Sequence, residues 1–108
     1  MPQQSTVSSR ADFVMNISKV PGKNTKHKVL MYALSTCVWC KMTKQYLKDN
    51  VVEFEFVDVD LSTEDDRDKI RKHIQDLGGS LSYPTIIVDD KKVIMGFRKD
   101  LLKKELEL

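Results

Sequence analysis

Cysteine is scarce in this sequence, which has only Cys37 and Cys40 among its 108 residues. Two cysteines are too few for the disulfide framework of a small secreted domain. They are also too few for a four-cysteine zinc site within one chain. In a reducing compartment, a pair separated by two residues indicates redox chemistry.

Long apolar runs and a strong charge bias are absent as well. No stretch approaches the roughly 18 apolar residues of a transmembrane helix, and residues 1–13 lack the apolar core of a secretory signal. The net charge of +2 is small for a nucleic-acid-binding protein. The composition, 41% hydrophobic and 31% charged, is typical of a globular domain. We therefore expect a cytoplasmic protein with no membrane or nucleic-acid partner.

The order of the periodic segments predicts an α/β fold with a four-stranded mixed sheet flanked by three helices. The predicted elements are strand 29–34, helix 38–50, strand 52–59, helix 63–77, strand 85–88, strand 92–95 and a final helix from about residue 97. The first connection is long enough for a parallel pair of strands, whereas the turn at 89–91 predicts an antiparallel hairpin. Ser62 is the predicted N-cap of the second helix, with Asp65 completing a capping box, and Gly78-Gly79 ends that helix.

Residues 1–24 form a predicted N-terminal extension ahead of a single domain at residues 25–108. The first ten residues are polar and are expected to be disordered. Scattered apolar residues at 11–20 fit a short extra strand or an irregular arm, and a turn follows at Pro21-Gly22.

The segment Cys37-Val38-Trp39-Cys40 directly follows the first predicted strand and opens the first predicted helix. A sulfur at a helix N-terminus faces unpaired backbone N–H groups and the positive end of the helix dipole, and both favour the thiolate. Cys40 lies one turn further along and is expected to be deeper. This asymmetry predicts that Cys37 attacks a substrate disulfide and that Cys40 resolves the mixed disulfide.

Two other interpretations of the cysteines remain open from the residues alone. The pair is either inert and buried, or half of a zinc site completed by His27 and His73. Trp39, inside the motif, is expected to contact partners, because aromatic side chains are enriched at binding surfaces. The alternative for Trp39 is packing against residues 13–17.

The segment Ser82-Tyr83-Pro84-Thr85 is the second informative motif. From local sequence alone a trans Tyr83–Pro84 bond is expected, because only about 5–6% of X–Pro bonds in folded proteins are cis.

The cysteine pair after a strand, the Tyr83-Pro84-Thr85 turn and Gly96 before the last helix together resemble the glutaredoxin family of the thioredoxin-fold superfamily. The resemblance spans residues 28–106.

This resemblance implies a thioredoxin fold, a cis bond at Pro84, a nucleophile at Cys37 and a resolving thiol at Cys40. It implies a thiol–disulfide oxidoreductase that acts on disulfide-containing proteins or mixed disulfides, with no bound cofactor and no metal site. The predicted substrate-binding residues are Thr36, Trp39, Tyr83, Pro84, Gly96 and Phe97.

Two departures from the glutaredoxin pattern concern glutathione. Leu34 stands where the family carries a lysine for a glutathione carboxylate, with Lys28 and Lys41 as partial replacements. Residues 95–100, Met-Gly-Phe-Arg-Lys-Asp, resemble the Gly-Phe-Arg-Pro-Asp signature of ribonucleotide-reductase-linked redoxins, which take electrons from thioredoxin reductase. The expected reductant is therefore thioredoxin reductase or a small thiol. Ribonucleotide reductase is one expected target, and the chain is expected to be a monomer.

Two alternative functions also follow from the family and the extension. Single-cysteine relatives of the family bind iron–sulfur clusters, so non-catalytic metal or cluster binding through the motif cysteines is the first alternative. The second cysteine and the bulky Trp39 argue against it. The other alternative is an interaction module whose arm at residues 11–20 docks a partner.

Overall fold

The computed structural model describes residues 17–80 and 82–108, which form one five-stranded mixed sheet with three helices. The strands stand in the spatial order β1-β3-β2-β4-β5. The strands are β1 (Ser18–Val20), β2 (Val29–Ala33), β3 (Phe54–Asp58), β4 (Thr85–Val88) and β5 (Lys92–Met95), and the helices are α1 (Val38–Asp49), α2 (Glu64–Asp76) and α3 (Lys99–Glu105). A 3₁₀ turn at Val59–Leu61 follows β3. This is the predicted thioredoxin-like α/β fold, with one more strand than expected.

The strand β2 is the centre of the sheet. It pairs in parallel with β3 and antiparallel with β4, and β4 and β5 form an antiparallel hairpin. Asp89 and Asp90 have φ values of 55° and 63°, as the two central residues of a type I′ hairpin turn require. The predicted parallel pair and the predicted hairpin are both confirmed.

The additional strand is β1, so the prediction of four strands is wrong. It pairs antiparallel with β3, with Ser18 opposite Phe56 and Val20 opposite Phe54. Gly22 then passes so close to the backbone of residues 51–53 that a Cβ would lie 2.5 Å from the Val51 carbonyl oxygen. Of the two alternatives for residues 11–20, the short extra strand is therefore correct for the last three of them. The predictions for residues 1–16 lie outside the described residues.

Both faces of the sheet are covered, because side chains of β2 alternate between two cores. Met31 and Ala33 pack with residues of α1 and α3 on one face, while Leu30 and Tyr32 pack with α2 on the other. All five residues of β2 are buried, as the continuous apolar run predicts. Among the described residues, no helix has the length and apolarity to cross a membrane.

The N-cap of α2 is Thr63, one residue later than predicted. Its side chain accepts a hydrogen bond from the Asp66 N–H at 3.1 Å, whereas the Ser62 hydroxyl donates to the Asp58 carbonyl at 3.2 Å. The predicted capping box at Ser62 and Asp65 is therefore wrong, because the Ser62 hydroxyl is already hydrogen-bonded across the preceding 3₁₀ turn. The predicted end of the helix is confirmed by Gly78, which has φ 86°.

Candidate active site

The two cysteines lie where β2 passes into α1. Cys37 is the N-cap of α1, with an extended backbone, and its Sγ accepts a hydrogen bond from the Cys40 N–H at 3.3 Å. The Cys37 N–H in turn donates to the Leu34 carbonyl at 3.2 Å. The sulfur of Cys37 therefore lies beside the unpaired N–H groups of the helix start, at the positive end of the helix dipole.

The two sulfurs differ in burial. Cys37 is half-buried, whereas Cys40 is 0% exposed within the core covered by α1, and both are free thiols. Burial, with a smaller contribution from a hydrogen bond with Cys37, raises the pKa of Cys40 to about 12. The predicted difference in depth is present, and Cys40 is a protonated thiol at neutral pH.

The loop before Cys37 is held by an acidic residue from the turn after β3. The Ser35 N–H and hydroxyl donate to the two carboxylate oxygens of Asp60 at 2.9 and 2.5 Å. These hydrogen bonds lower the pKa of Asp60. Thr36, a predicted binding residue, is exposed between Ser35 and Cys37. Ser35 and Asp60 were not predicted from the sequence, because no local pattern indicates a contact between residues that are 25 apart.

The segment before β4 lies at the same edge of the sheet as Cys37, since Tyr32 is opposite Thr85 and Thr85 is opposite Met95. The Tyr83–Pro84 bond is cis, as the resemblance implies and contrary to expectation from local sequence. Pro84 is buried, and Tyr83 is half-buried and packs on both cores. Burial raises the pKa of the Tyr83 hydroxyl, and Tyr83 packs against the core cluster that contains Cys40. Tyr83 therefore lies near the resolving thiol.

Gly96 and Phe97 follow β5 but occupy different surroundings. The Gly96 N–H donates to the Pro84 carbonyl at 2.7 Å, and its φ is 83° with open space where a Cβ would stand. The Phe97 ring packs edge-on against Tyr46, with 6.0 Å between centroids. Tyr46 lies about 13 Å along α1 from Cys37. The structure thus brings Gly96 to the Pro84 segment and places Phe97 against the middle of α1.

Exposed apolar side chains surround this edge of the sheet. Trp39 is 58% exposed, and its apolar neighbours at the start of α1 are also exposed. The exposed set at this edge is Val38, Trp39, Met42, Leu61 and Met95. Packing of Trp39 against residues 13–16 lies outside the described residues, and Ile17 packs on the face covered by α2.

The lysines proposed to replace the family lysine are not equivalent. Lys28 precedes β2, so it lies at the opposite end of the strand from Cys37, and its Nζ pairs with Asp90 at 3.0 Å. A five-residue strand spans roughly 16 Å, so the prediction for Lys28 is wrong. Lys41 is exposed in the first turn of α1, and Leu34 is half-buried against the core covered by α2.

The two histidines of the zinc interpretation make other contacts. His27 hydrogen-bonds to Asp89 and Glu107 at 2.7 Å each, and the Nδ1 of His73 hydrogen-bonds to the Tyr32 hydroxyl at 2.7 Å. Within residues 17–80 and 82–108, no group of three or more histidine, cysteine, aspartate or glutamate side chains is arranged to hold a metal ion.

The five-stranded sheet, the cysteine pair at the start of α1 and the cis proline beside it define a two-cysteine protein of the thioredoxin fold. The glutaredoxin family model matches residues 29–93, more than half of the chain. The chain therefore belongs to the glutaredoxin family.

Relatives and solved structures agree with this family. A glutaredoxin-like 8.6 kDa protein from the rubredoxin operon of Clostridium pasteurianum is 35% identical, over 73% of this chain and 97% of that protein. Methanoredoxin from Methanosarcina acetivorans is 43% identical with a TM-score of 0.70, covering 75% of this chain and 85% of that one. Glutaredoxin from Methanosarcina mazei is 37% identical with a TM-score of 0.78, and the match covers 85% of this chain and 88% of that protein.

The chain is also similar to an NrdH-redoxin. The NrdH-redoxin of Escherichia coli, a glutaredoxin-like protein with a thioredoxin-like activity profile, is 25% identical with a TM-score of 0.55, covering 71% of this chain and 92% of that one. The family and its Cys37–Cys40 pair support a function of the thiol–disulfide oxidoreductase type.

Proposed function

We propose that this protein reduces disulfides in other proteins, and mixed disulfides, by dithiol exchange at Cys37 and Cys40. The observation that carries the proposal is the difference between the two sulfurs. Cys37 is half-buried at a helix N-terminus, where its sulfur faces the positive end of the helix dipole, while the thiol of Cys40 is fully buried one turn away. This difference supports an order of events in which Cys37 attacks first.

In the first step the Cys37 thiolate attacks one sulfur of the substrate disulfide, and the other substrate sulfur leaves with the electron pair. In the second step Cys40 loses its proton and attacks the Cys37 sulfur. The Cys37–Cys40 bond forms, and the second substrate sulfur leaves as a thiolate. The substrate gains two electrons, and the protein is left as an internal disulfide.

The matched variants Cys37→Ser and Cys40→Ser test this order. Disulfide reduction is expected to be abolished in Cys37→Ser, because the nucleophile is gone. Cys40→Ser is expected to accumulate a mixed disulfide with the substrate protein, measured by mass spectrometry under non-reducing conditions. Undiminished reduction by Cys37→Ser would overturn the proposal.

We further propose that the exposed apolar side chains around Cys37 contact protein substrates, with Trp39 at the centre. Thr36, Tyr83, Pro84 and Gly96 are the proposed groove beside them, whereas Phe97 packs against Tyr46 on α1. Trp39→Ala is expected to raise the KM for a protein disulfide and to leave reduction of a small aliphatic disulfide unchanged. Equal effects on both substrates would contradict a docking role for Trp39.

The proposed electron donor is thioredoxin reductase or a small thiol, which places the protein in a reducing compartment such as the cytoplasm. Leu34 in place of the family lysine, and the residues after Gly96, support a donor other than glutathione. The test compares reduction of the oxidised protein by NADPH and thioredoxin reductase with reduction by glutathione and glutathione reductase. Fast reduction by the first system alone would make ribonucleotide reductase the first target to assay, and fast reduction by glutathione would contradict the preference.

A further inference from the structure

Lys44 lies one helical turn after Cys40 on α1, and two contacts hold its ammonium group over the core. Its Nζ lies 3.5 Å from the Oδ1 of Asp58 and 3.8 Å from the centroid of the Phe56 ring. The side chain is only 19% exposed. Most lysines extend into solvent, so an ammonium held this close to the core is unusual.

The geometry of β3 explains these contacts. Side chains alternate along a strand, so Phe54, Phe56 and Asp58 share the face that α1 covers. Phe54 and Phe56 pack in the same core cluster as Cys40. The ammonium of Lys44 therefore lies between the end of β3 and the helix turn that carries the buried thiol.

Asp58 gives the lysine a fixed position. Its Oδ1 is buried and makes no hydrogen bond. A buried carboxylate oxygen without a hydrogen bond is costly unless an opposite charge lies close by. The Lys44 ammonium at 3.5 Å supplies that charge, and the Phe56 ring adds a cation–π contact on the same group.

The second step of the proposed mechanism needs groups that stabilise a buried thiolate. A hydrogen bond with the Leu34 backbone and the charge of Lys44 both lower the pKa of Cys40. Cys40 is 0% exposed, so its thiolate forms without direct hydration. The ionisable groups that act on Cys40 are Cys37, Lys44 on its own helix and Tyr83 from the segment before β4, with Asp58 behind Lys44. The other members of its core cluster, from β2, β3, β4, β5 and α3, are apolar. Lys44 is the one cation in this set.

We propose that Lys44 is a positioning residue for the resolving step, in which its ammonium, held by Asp58 and Phe56, stabilises the thiolate that forms on Cys40. This inference rests on the proposed dithiol mechanism. Cys40 loses its proton, the Cys40 sulfur bonds to the Cys37 sulfur, and the substrate sulfur leaves with the electron pair and takes up a proton.

Dithionitrobenzoate separates the two steps in one stopped-flow trace. Attack by Cys37 releases one coloured thionitrobenzoate and leaves a second on the protein, in a phase whose rate rises with reagent concentration. Attack by Cys40 then releases the second thionitrobenzoate, in a phase independent of reagent concentration. The rate of the second phase, followed against pH, measures the resolving step directly.

Lys44→Met removes the charge and keeps the length of the side chain. Loss of an opposite charge at close range raises a pKa by about one unit or more. Each unit lowers the thiolate fraction tenfold, while the more basic thiolate regains about threefold in nucleophilicity. We expect the second phase to slow about three- to tenfold, with its pH profile displaced to higher pH and the first phase changed little.

Three further variants make the result specific. Lys48→Met removes an exposed lysine from the last turn of the same helix and is expected to leave both phases unchanged. Lys44→Arg is expected to restore most of the second-phase rate, because the charge returns. Asp58→Asn frees the ammonium and is expected to slow the second phase even if Lys44→Met does not fold.

The outcomes distinguish a failure of the proposed role of Lys44 from a failure of the proposed dithiol mechanism. A normal second phase in both Lys44→Met and Asp58→Asn, with Cys40→Ser still blocked after the first phase, would overturn the role of Lys44 and leave dithiol exchange intact. A second phase that persists in Cys40→Ser would overturn the dithiol mechanism itself. Slowing that Lys44→Arg does not rescue would indicate a packing effect and also overturn the inference.

Discussion

The carboxylate of Asp60 accepts both the backbone N–H and the hydroxyl of Ser35. This pair joins the 3₁₀ turn after β3 to the loop that leads into Cys37. Because the contact spans two residues that are 25 apart in sequence, it fixes the start of α1 relative to the parallel strand beside it.

Removing this carboxylate is expected to loosen the loop. In Asp60→Ala the Ser35 amide loses its acceptor, so its hydrogen exchange at neutral pH is expected to accelerate. The pKa of Asp60 is lowered by Ser35, so in the wild-type protein the protection is present above the unfolded pKa of about 3.9 and is lost as pH falls through the lower folded value. Asp65→Ala, which removes an exposed carboxylate from the first turn of α2, is the control and should leave Ser35 exchange unchanged.

Cys40 is expected to resist alkylation. Burial is the main cause that raises its pKa to about 12, and burial persists when Cys37 is replaced. In Cys37→Ser the rate of reaction with iodoacetamide is expected to be far below that of a free cysteine at neutral pH, and to keep rising to the highest pH at which the protein stays folded. A plateau above a midpoint near the free-cysteine value of about 8.5 would contradict this. The urea-denatured variant is the control and should react at the ordinary rate.

His27 is expected to make stability depend on pH. Hydrogen bonds to Asp89 and Glu107 raise the pKa of His27. A raised folded pKa means that this stabilisation is fully present below the unfolded value of about 6.5 and is lost as pH rises through the folded value. The free energy of unfolding of wild type should exceed that of His27→Gln by about 0.2–1 kcal/mol near pH 5.5, a small value because solvent screens the pair, and by less near pH 9.

The comparison of variants in the His27 experiment is necessary because His73 acts in the opposite direction. Burial lowers the pKa of His73, so it makes the protein more stable as pH rises. Both variants of the comparison keep His73, and its effect therefore cancels. An equal difference between wild type and His27→Gln at both pH values would contradict the prediction.

Gly96 and Gly78 form a matched pair of glycines. Both have positive φ, 83° and 86°, and neither has an atom within 4 Å of the point where a Cβ would stand, so alanine meets backbone strain without a clash. Each substitution to alanine is expected to lower the free energy of unfolding by about 1 kcal/mol, measured by urea denaturation. Only Gly96→Ala is expected to reduce activity on a protein disulfide, because Gly78 ends α2 and lies outside the proposed groove. Equal activity losses would argue against a groove at Gly96.

The parts of the molecule that local sequence controls were predictable. The junction of β2 and α1, with Cys37 at the helix start, follows from an apolar run directly followed by helical spacing. The cis bond at Pro84 needed the family resemblance, because the local residues favour trans. The N-cap of α2 was missed by one residue because Ser62 and Thr63 are chemically equivalent caps, and the 3₁₀ turn decides between them.

The parts that depend on pairing across the chain were predictable only as alternatives or not at all. Residues 11–20 allowed a strand or an arm, and only the register with β3 makes the last three of them strand β1. The Ser35–Asp60 contact joins two segments whose distance no local pattern encodes. Lys28 is close to the cysteines in sequence, but the extended strand between them separates the two. The position of Lys44 was likewise not predictable, since its contacts come from Asp58 and Phe56 on β3.

Strand β1 also determines how far the N-terminus of the chain can be shortened without exposing the edge of the sheet. A chain shortened to residue 25 would keep the glutaredoxin-like domain of the family model but would leave the N–H and C=O groups along the outer side of β3 without partners. Exposed strand edges of this kind template the addition of another strand and promote self-association. We therefore expect β1 to protect the edge of β3 from self-association. A shortened version of this protein should keep Ile17 and all residues after it.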